Sequence, residues 1–313
     1  MTNILFIMDP ISTVNPKKDS TLAMIVAAQR KQWQIYYAEQ RDLIVADGKP
    51  FVTSKPLTVD LSVDDWYTLG EAQTVSLNDM NVIMMRKDPP FDNEYIYSTY
   101  ILELAESNGS LVVNKPQSLR DANEKLFTAW FPDCTPRTTV TRRDDVFRDF
   151  IQEHQDVILK PLDGMGGTSI FRVKADDPNI GVIIETLTNY GTVTAMAQKF
   201  IPEITDGDKR ILVINGKPIP YALARIPAKG ETRGNLAAGG TGVAVPLSDS
   251  DYRIVERVAP TLVEKGLIFV GLDVIGSYLT EINVTSPTCI REIDAAFNTD
   301  IAGELMTEIE SRL

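Results

Sequence analysis

The sequence predicts a mixed α/β and α+β fold, and three observations carry that prediction. The first third alternates strand-length apolar runs with helical stretches, the βαβ pattern of a parallel sheet with crossover helices. The middle sets hairpin-linked strands beside helices, as in a small α+β unit. The last third places Asn215-Gly216 between two apolar runs, the strongest short hairpin signal, with a further strand pair downstream.

Each element follows from its residues. Asn3 to Met8 reads as a strand, Ser20 to Gln32 as a helix with Ser20 as N-cap, and Gln34 to Ala38 as a second strand. A hairpin turning at Asp47-Gly48 comes next, then a strand over Asn81 to Arg86, a helix over Tyr95 to Asn108 and a strand over Leu111 to Asn114. Lys115-Pro116 punctuates a unit boundary. Beyond it, Arg120 to Phe131 reads as helix and Thr138 to Thr141 as extended chain. Asp144 to His154 reads as a helix from its Val146, Phe147, Phe150, Ile151 stripe. Strands Val157 to Pro161 and Ser169 to Val173 flank a glycine-rich turn, and a helix from Ile180 to Asn189 leads into extended Val193 to Ile201. The hairpin pairs Arg210 to Ile214 with Pro218 to Arg225. A glycine-rich loop, 227–242, is too long for an ordinary connection and reads as a lid. Helix Asp249 to Lys265, strands Ile268 to Ile275 and Tyr278 to Ile282, and a last helix with Ile301, Leu305, Ile309 and Leu313 on one face complete the order.

Composition narrows the function. The 313 residues carry 31 Lys+Arg against 43 Asp+Glu, a net charge of −12, which argues against a nucleic-acid partner. Apolar residues at 43% and charged residues at 24% mark a folded globular chain, and the length suggests about two domains. The opening apolar run breaks at Asp9-Pro10 without a basic lead or a small-residue cleavage site, so it reads as a strand and not a signal peptide. The longest purely apolar run, Leu22 to Ala28, falls far short of the ~20 residues of a membrane helix, so a soluble protein without a membrane partner is expected. Cys134 and Cys289 lie apart without a C-x-x-C, which fits a reducing cytoplasm and gives neither a disulfide framework nor a zinc site. A single histidine, His154, excludes multi-histidine metal sites, and its place at a helix end reads as a half-buried imidazole. The chemistry therefore falls to Lys, Arg, Asp, Glu, Asn and backbone amides.

Three constellations could carry it. Lys160 closes a buried strand beside Asp163-Gly164-Met165-Gly166-Gly167, where glycines let backbone N–H groups approach phosphate oxygens and the ammonium adds a point charge. The run matches neither G-x-x-x-x-G-K-[ST] nor G-x-G-x-x-G, and a tight hairpin needing positive φ is the competing reading. Strand alternation puts Glu281 and Asn283 on one face with Asp273 on the preceding strand, an all-oxygen set suited to Mg²⁺; a polar outer sheet face is the alternative. Lys125, Lys160, Lys199, Arg210, Arg225 and Arg233 could form an anion site, with Arg210 and Arg225 expected to face each other across the hairpin; surface salt bridging competes. Arg233 lies in the glycine-rich lid, a build that excludes water on closing, unless the segment is a disordered surface loop. Cys289 has no base to activate it, and both cysteines read as small apolar residues.

Taken together, Lys160 with its glycine run, extended Gln198-Lys199-Phe200-Ile201, Asp208-Lys209-Arg210 and the Asp273, Glu281, Asn283 set resemble an ATP-grasp ligase. Lys160 to Gly167, Gly230 to Gly240 and Thr280 to Glu292 (TEINVTSPTCIRE) are similar to bacterial glutathione synthetase, and the likeness runs from Ile4 to the C-terminus. The resemblance implies an ATP-grasp fold in three parts: an N-terminal parallel-sheet (pre-ATP-grasp) α/β substrate domain, 1–120; a central lid domain, 121–200; and a C-terminal domain, 201–313, with the metal site and flexible loop 227–242.

It also implies roles. Lys125 and Lys160 would contact ATP phosphates, Gly164, Met165, Gly166 and Gly167 would close over them, Gln198, Lys199, Phe200 and Ile201 would hold adenine, and Asp208 the ribose. Asp273, Glu281 and Asn283 would bind Mg²⁺, with Mn²⁺ as the ion that could replace it. Arg210, Arg225 and Arg233 would be catalytic, contacting the peptide carboxylate or the transferred phosphoryl group. Asn15, Arg86, Ser286 and Thr288, with Arg210 and Arg225, would bind γ-glutamylcysteine and glycine. The family is expected to carry alanine where Thr168 stands and arginine where Thr241 ends the lid motif. ATP would convert the dipeptide carboxylate to an acyl phosphate, which glycine attacks to give glutathione, ADP and phosphate, with no protein nucleophile. A cytoplasmic homotetramer is the implied setting. Two other readings stay open: an ATP-grasp carboxylate-amine ligase with another acceptor, and a non-catalytic nucleotide sensor, against which stand the metal set and the lid.

Overall fold

The computed structural model describes residues 1–231, 233–234, 236 and 239–313. Four residues of the expected lid, Thr232, Asn235, Ala237 and Ala238, lie outside the described residues. The chain opens with β1 (Asn3–Ile7), α1 (Ser20–Arg30), β2 (Gln34–Ala38), β3 (Leu43–Ala46) and β4 (Lys49–Val59). It continues with β5 (Tyr67–Leu69), β6 (Gln73–Ser76), β7 (Val82–Met85), α2 (Asn93–Ser107), β8 (Leu111–Val113) and α3 (Pro116–Asp121). Strands β2, β1, β7 and β8 pair in parallel in that order, while β4 joins the edge antiparallel and carries β3, β5 and β6. The crossovers α1 and α2 leave β1 and β7 in opposite directions along the sheet, so the chain emerging from both strand ends forms a switch-point crevice. The long β4, with β5 and β6, was not legible beyond its Asp47-Gly48 turn.

Strand alternation divides the core. Ile4 and Phe6 pack with α1 on one face of the sheet, and Leu5 and Ile7 with Tyr95, Leu102 and Ala105 of α2 on the other. The expected N-cap of α1 is displaced by one residue: Asp19 Oδ1 accepts the Leu22 N–H at 2.6 Å. Ser20 instead accepts the N–H of Ile290 at 3.2 Å, which ties the start of α1 to the C-terminal third.

The expected helix over Arg120 to Phe131 is also corrected. Helix α3 stops at Asp121, and a 3-10 turn covers Leu126–Trp130. Asn123 breaks the helix, because its side-chain oxygen accepts from the N–H groups of Lys125 (3.2 Å) and Leu126 (2.9 Å). The chain released there runs along a later strand edge, with the Glu124 carbonyl accepting the Ile282 N–H at 2.8 Å.

The middle segment holds β9 (Thr138–Thr141), α4 (Asp144–His154), β10 (Asp156–Pro161), β11 (Phe171–Lys174), α5 (Ile180–Thr188) and β12 (Ala195–Lys199). Its antiparallel sheet, ordered β11-β10-β12-β9, buries Val157 and Leu159 against Phe147, Ile151 and Ile184. Ile158 and Lys160, the alternate residues of β10, therefore face the opposite way. His154 sits half-buried at the end of α4 with its ring edge against Phe150, 4.3 Å between centroids, as its helix-end position predicts.

The last segment holds β13 (Asp208–Ile214), β14 (Lys217–Ile226), β15 (Thr241–Pro246), α6 (Asp249–Glu264), β16 (Phe269–Ile275), β17 (Tyr278–Asn283), α7 (Ile290–Phe297) and α8 (Ile301–Glu310). Its sheet is ordered β15-β14-β13-β16-β17, antiparallel throughout. Strand β15 and helix α7 were not anticipated, and Leu313 lies past the end of α8, exposed, instead of on its apolar face. The apolar faces of α7 and α8 pack into the same core as Ile4, Phe6 and α1, so the C-terminus closes over the N-terminal sheet. No helix among the described residues is long and apolar enough to cross a membrane.

Candidate active site

The three sheets converge on one cavity of about 350 Å³. Ile158 and Lys160 of β10 and Gln198 of β12 form one wall, Asp208, Arg210, Arg225, Asp273, Glu281 and Asn283 of the last sheet another. Asp88 and Pro89, just past the end of β7, close a third side. The alternation that buries Leu159 thus delivers Lys160 to the cavity.

Two ammonium groups meet one carboxylate here. Glu281 Oε1 lies 3.6 Å from Lys125 Nζ and 3.9 Å from Lys160 Nζ, and both lysines are buried. Lys125 also donates to the carbonyl of Gly164, and Lys160 to that of Thr280 at 3.4 Å. Burial pulls the Lys160 ammonium down from its ordinary range and Glu281 opposes that, so an incoming polyanion would be welcome. The glycine loop completes the anion site: Gly164, Met165, Gly166 and Gly167 all line the cavity, and Gly166 and Gly167 hold positive φ of 64° and 81°.

The oxygen set suits a hard divalent cation. In the β16–β17 register Asp273 faces Glu281 and Gly271 faces Asn283, as the alternation predicted. Asn283 donates its amide N–H to the Gly271 carbonyl at 3.2 Å, which leaves its side-chain oxygen to act as a ligand beside Glu281. Carboxylate plus amide oxygen, with substrate phosphates supplying the remainder, is the donor chemistry Mg²⁺ takes. Asp273 is engaged differently: Arg210 grips it through both oxygens (2.5 and 3.0 Å), and Arg225 Nη2 reaches Oδ2 at 2.8 Å.

That contact corrects the expected arginine pair. Across the hairpin Arg210 pairs with Leu223, and Arg225 with Asp208. The two guanidiniums meet at Asp273, one strand over, because Arg210 and Asp273 are also register partners. Burial works against the Asp273 charge, but Arg210 and then Arg225 outweigh it and hold the carboxyl well below its usual range. Asp208 goes the other way: burial pushes it up to about 7, against the pull of Arg225, with Asp273 and Glu281 adding repulsion. Its Oδ2 meets Arg225 at 2.5 Å, while its buried Oδ1 has no hydrogen-bond partner among the described residues.

Ile158, Ile170, Ile204 and Ile275 give the cavity an apolar slot of the kind a flat base enters. Beside it, the Lys199 N–H is spent on Arg137 O (2.9 Å) and the Phe200 N–H on Asp156 O (3.0 Å). Of these three residues, Ile201 has the N–H with no backbone acceptor among the described residues. Ser286 and Thr288 line the cavity. Arg86 and Asn15 stand outside its wall: buried Arg86 donates to Thr21 Oγ1 (3.1 Å) and Pro287 O (2.9 Å), and exposed Asn15 caps its own loop at Lys17. Sequence reasoning passed over Glu124, Thr280 and the isoleucine slot, none of which belongs to a spaced motif. Burial raises both thiols, Cys134 to about 11, consistent with inert side chains.

The glycine-rich loop touches this network through its described residues. Arg233 Nη1 reaches Gly167 O at 3.4 Å and Nε pairs with Glu231 at 3.0 Å. Gly234 is pressed onto β14: a Cβ there would lie 2.4 Å from Arg225 O and 3.0 Å from Asp208 Cβ. Gly234→Ala is therefore expected to lift the loop off Arg225, at a cost of about 1–3 kcal/mol. Thermal melts and the KM for ATP should both shift; parental values would mean the loop does not rest there in solution.

Family comparisons agree along the whole chain. The model for the prokaryotic glutathione synthetase N-terminal domain matches residues 2–120, and that for the prokaryotic glutathione synthetase ATP-grasp domain matches 124–298. The chain is 64% identical to the glutathione synthetase of Shewanella oneidensis, over 100% of this chain and 99% of that one. It is 62% identical to that of Vibrio vulnificus strain YJ016 (100% and 98%) and 61% to that of Yersinia pestis (100% and 98%). Among solved structures, D-cycloserine synthetase DcsG superposes with a TM-score of 0.66 at 14% identity, covering 99% of each chain. The ATP-grasp ligase PsnB, complexed with a phosphomimetic variant of its minimal precursor, Mg and ADP, gives 0.65 at 17%, covering 99% and 98%. These two show a shared ATP-grasp fold.

Proposed function

The chain belongs to the prokaryotic glutathione synthetase family of ATP-dependent ligases, and from that premise we propose how its cavity joins γ-glutamylcysteine to glycine. The observation that carries the reading is Glu281 set between the Lys125 and Lys160 ammoniums beside the glycine loop. Lys125, Lys160 and the backbone of Gly164 to Gly167 hold the ATP phosphates. The isoleucine slot and the Ile201 N–H hold adenine, and Asp208 Oδ1, which has no partner among the described residues, takes a ribose hydroxyl.

Glu281 and Asn283 would hold Mg²⁺, with Asp273 beside them as the third oxygen donor while it keeps its grip on Arg210 and Arg225. When bound, the ion neutralises charge on the phosphates. The dipeptide carboxylate attacks the terminal phosphorus and expels ADP to give an acyl phosphate; the neutral glycine amine adds to the acyl carbon, and the tetrahedral intermediate collapses by expelling phosphate, which carries off the amine proton. Arg210 and Arg225, fixed by Asp273 before substrate arrives, stabilise the oxyanions of both steps without reorganising. Arg233 and the lid keep water from the acyl phosphate. Ser286 and Thr288 orient the dipeptide near the Asp88 edge, with Arg86 and Asn15 at its far end.

Residues 1–120, 121–200 and 201–313 form the substrate, lid and metal-bearing units of this scheme. Mn²⁺ in place of Mg²⁺, a homotetramer and a cytoplasmic setting belong to the same proposal. Purified protein should release ADP only when Mg·ATP, γ-glutamylcysteine and glycine are all present, with glutathione appearing in step. ADP release with another acceptor in place of glycine would keep the ligase chemistry and overturn the acceptor.

A further inference from the structure

We infer that Glu124 docks the amino end of the acceptor amino acid, presenting Oε2 where the main cavity meets a narrow side cavity. The inference rests on the ligase reading above and adds a residue to it. One oxygen of this carboxylate does all the anchoring: Oε1 accepts from Val284 N–H (2.9 Å), Thr285 N–H (3.1 Å) and Thr285 Oγ1 (2.9 Å). Every side-chain hydrogen bond of Glu124 among the described residues goes to Oε1 and none to Oε2. The side chain lines both cavities, and the smaller one is walled by Pro89, Phe91 and Leu162 together with Lys125, Asp163 and Thr285.

A carboxylate fixed by one oxygen and free at the other is oriented without being neutralised. Its sequence neighbour Lys125 does not neutralise it, being turned to Gly164 O and Glu281. Burial raises the Glu124 carboxyl, Thr285 opposes that and Glu281 adds to it, so a cationic ligand would relieve the site. Position selects which cation. Glu124 adjoins Lys125 and Gly164, at the phosphate end of the cavity, where the acceptor nitrogen must lie to reach the acyl carbon. The ammonium of γ-glutamylcysteine belongs to the far end of that substrate, and the side cavity, at about 20 Å³, leaves no room for an acceptor side chain.

The test varies glycine at saturating Mg·ATP and γ-glutamylcysteine, using the full chain. Glu124→Gln keeps the anchoring oxygen and removes the charge, so its KM for glycine should rise about 10- to 100-fold. The KM values for ATP and the dipeptide should stay within about twofold, and kcat at saturating glycine should largely persist, as for a lost binding contact. Glu124→Asp, which keeps the charge, should lie between parent and Glu124→Gln. An unchanged KM for glycine in Glu124→Gln overturns the inference, as does a rise confined to ATP or γ-glutamylcysteine. If Glu124→Gln does not fold, methylamine should still compete with glycine on the parent protein, and failure to compete overturns it equally. Glycine-dependent ADP release by the parent separates the two claims: its absence removes the ligase reading too, whereas its presence with a parental Glu124→Gln removes only the role of Glu124.

Discussion

Glu281→Gln is expected to lower kcat about 10³-fold while leaving the fold intact. The substitution is isosteric, so β17 keeps its register with Asp273 and its place beside Lys125 and Lys160. What disappears is the charge that both ammoniums face and that a divalent cation needs. Lys160 is buried and already pulled down by desolvation, so the loss of its largest favourable partner leaves it less charged as well. Phosphate contact and metal contact therefore weaken together, which is why the effect should exceed that of removing a single hydrogen bond. Steady-state rates at high Mg²⁺ beside a thermal melt decide it. A kcat within about threefold of the parent, with an unchanged melt, would remove Glu281 from the metal set.

How much of this was readable in the sequence depends on how local each signal is. Alternation over Thr280 to Asn283 is a property of consecutive residues, so the shared face of Glu281 and Asn283 was read correctly, and Lys160 was placed at its strand end. Asn215-Gly216 likewise fixed its hairpin, because the turn needs little beyond its own positive φ values, 47° and 77°. The failures lie where tertiary partners decide. Arg210 and Arg225 were placed opposite each other from the hairpin alone. The register puts Asp208 opposite Arg225, and the convergence of both guanidiniums comes from β16, a strand some sixty residues later.

The same logic explains Asn123 and Ser20. The apolar periodicity over Arg120 to Phe131 reads as helix, yet Asn123 competes for backbone N–H groups and the freed chain finds a partner in Ile282. Ser20 is a sound cap by residue type, but Asp19 one place earlier takes that role and Ser20 serves Ile290, 270 positions away. Glu124 was invisible for a related reason. Nothing in Asn123-Glu124-Lys125 announces that its middle side chain will grip Val284 and Thr285, and the contact exists only once β17 lies alongside.

Asp273→Ala is the second large effect, and it should appear as stability before it appears as rate. Asp273, Arg210 and Arg225 are all nearly sealed from solvent, and one carboxylate serves two guanidiniums. Removing it leaves two buried cations with Asp208 as the remaining carboxylate in contact, and that carboxyl is itself pushed up to about 7, chiefly by burial. Breaking a buried pair at one end costs about 3–5 kcal/mol, because the orphaned charge keeps its desolvation penalty and loses its compensation. A melt in EDTA, where cation release cannot contribute, should fall by roughly 10 °C. Asp273→Asn retains the shape and one accepting oxygen, with its amide N–H groups set against guanidinium donors, and should fall between parent and alanine. Adding Arg210→Met to Asp273→Ala should recover part of the loss, since it removes one uncompensated cation; a double variant less stable than the single one would mean that packing of the Arg210 stem, and not charge balance, sets the stability of this wall.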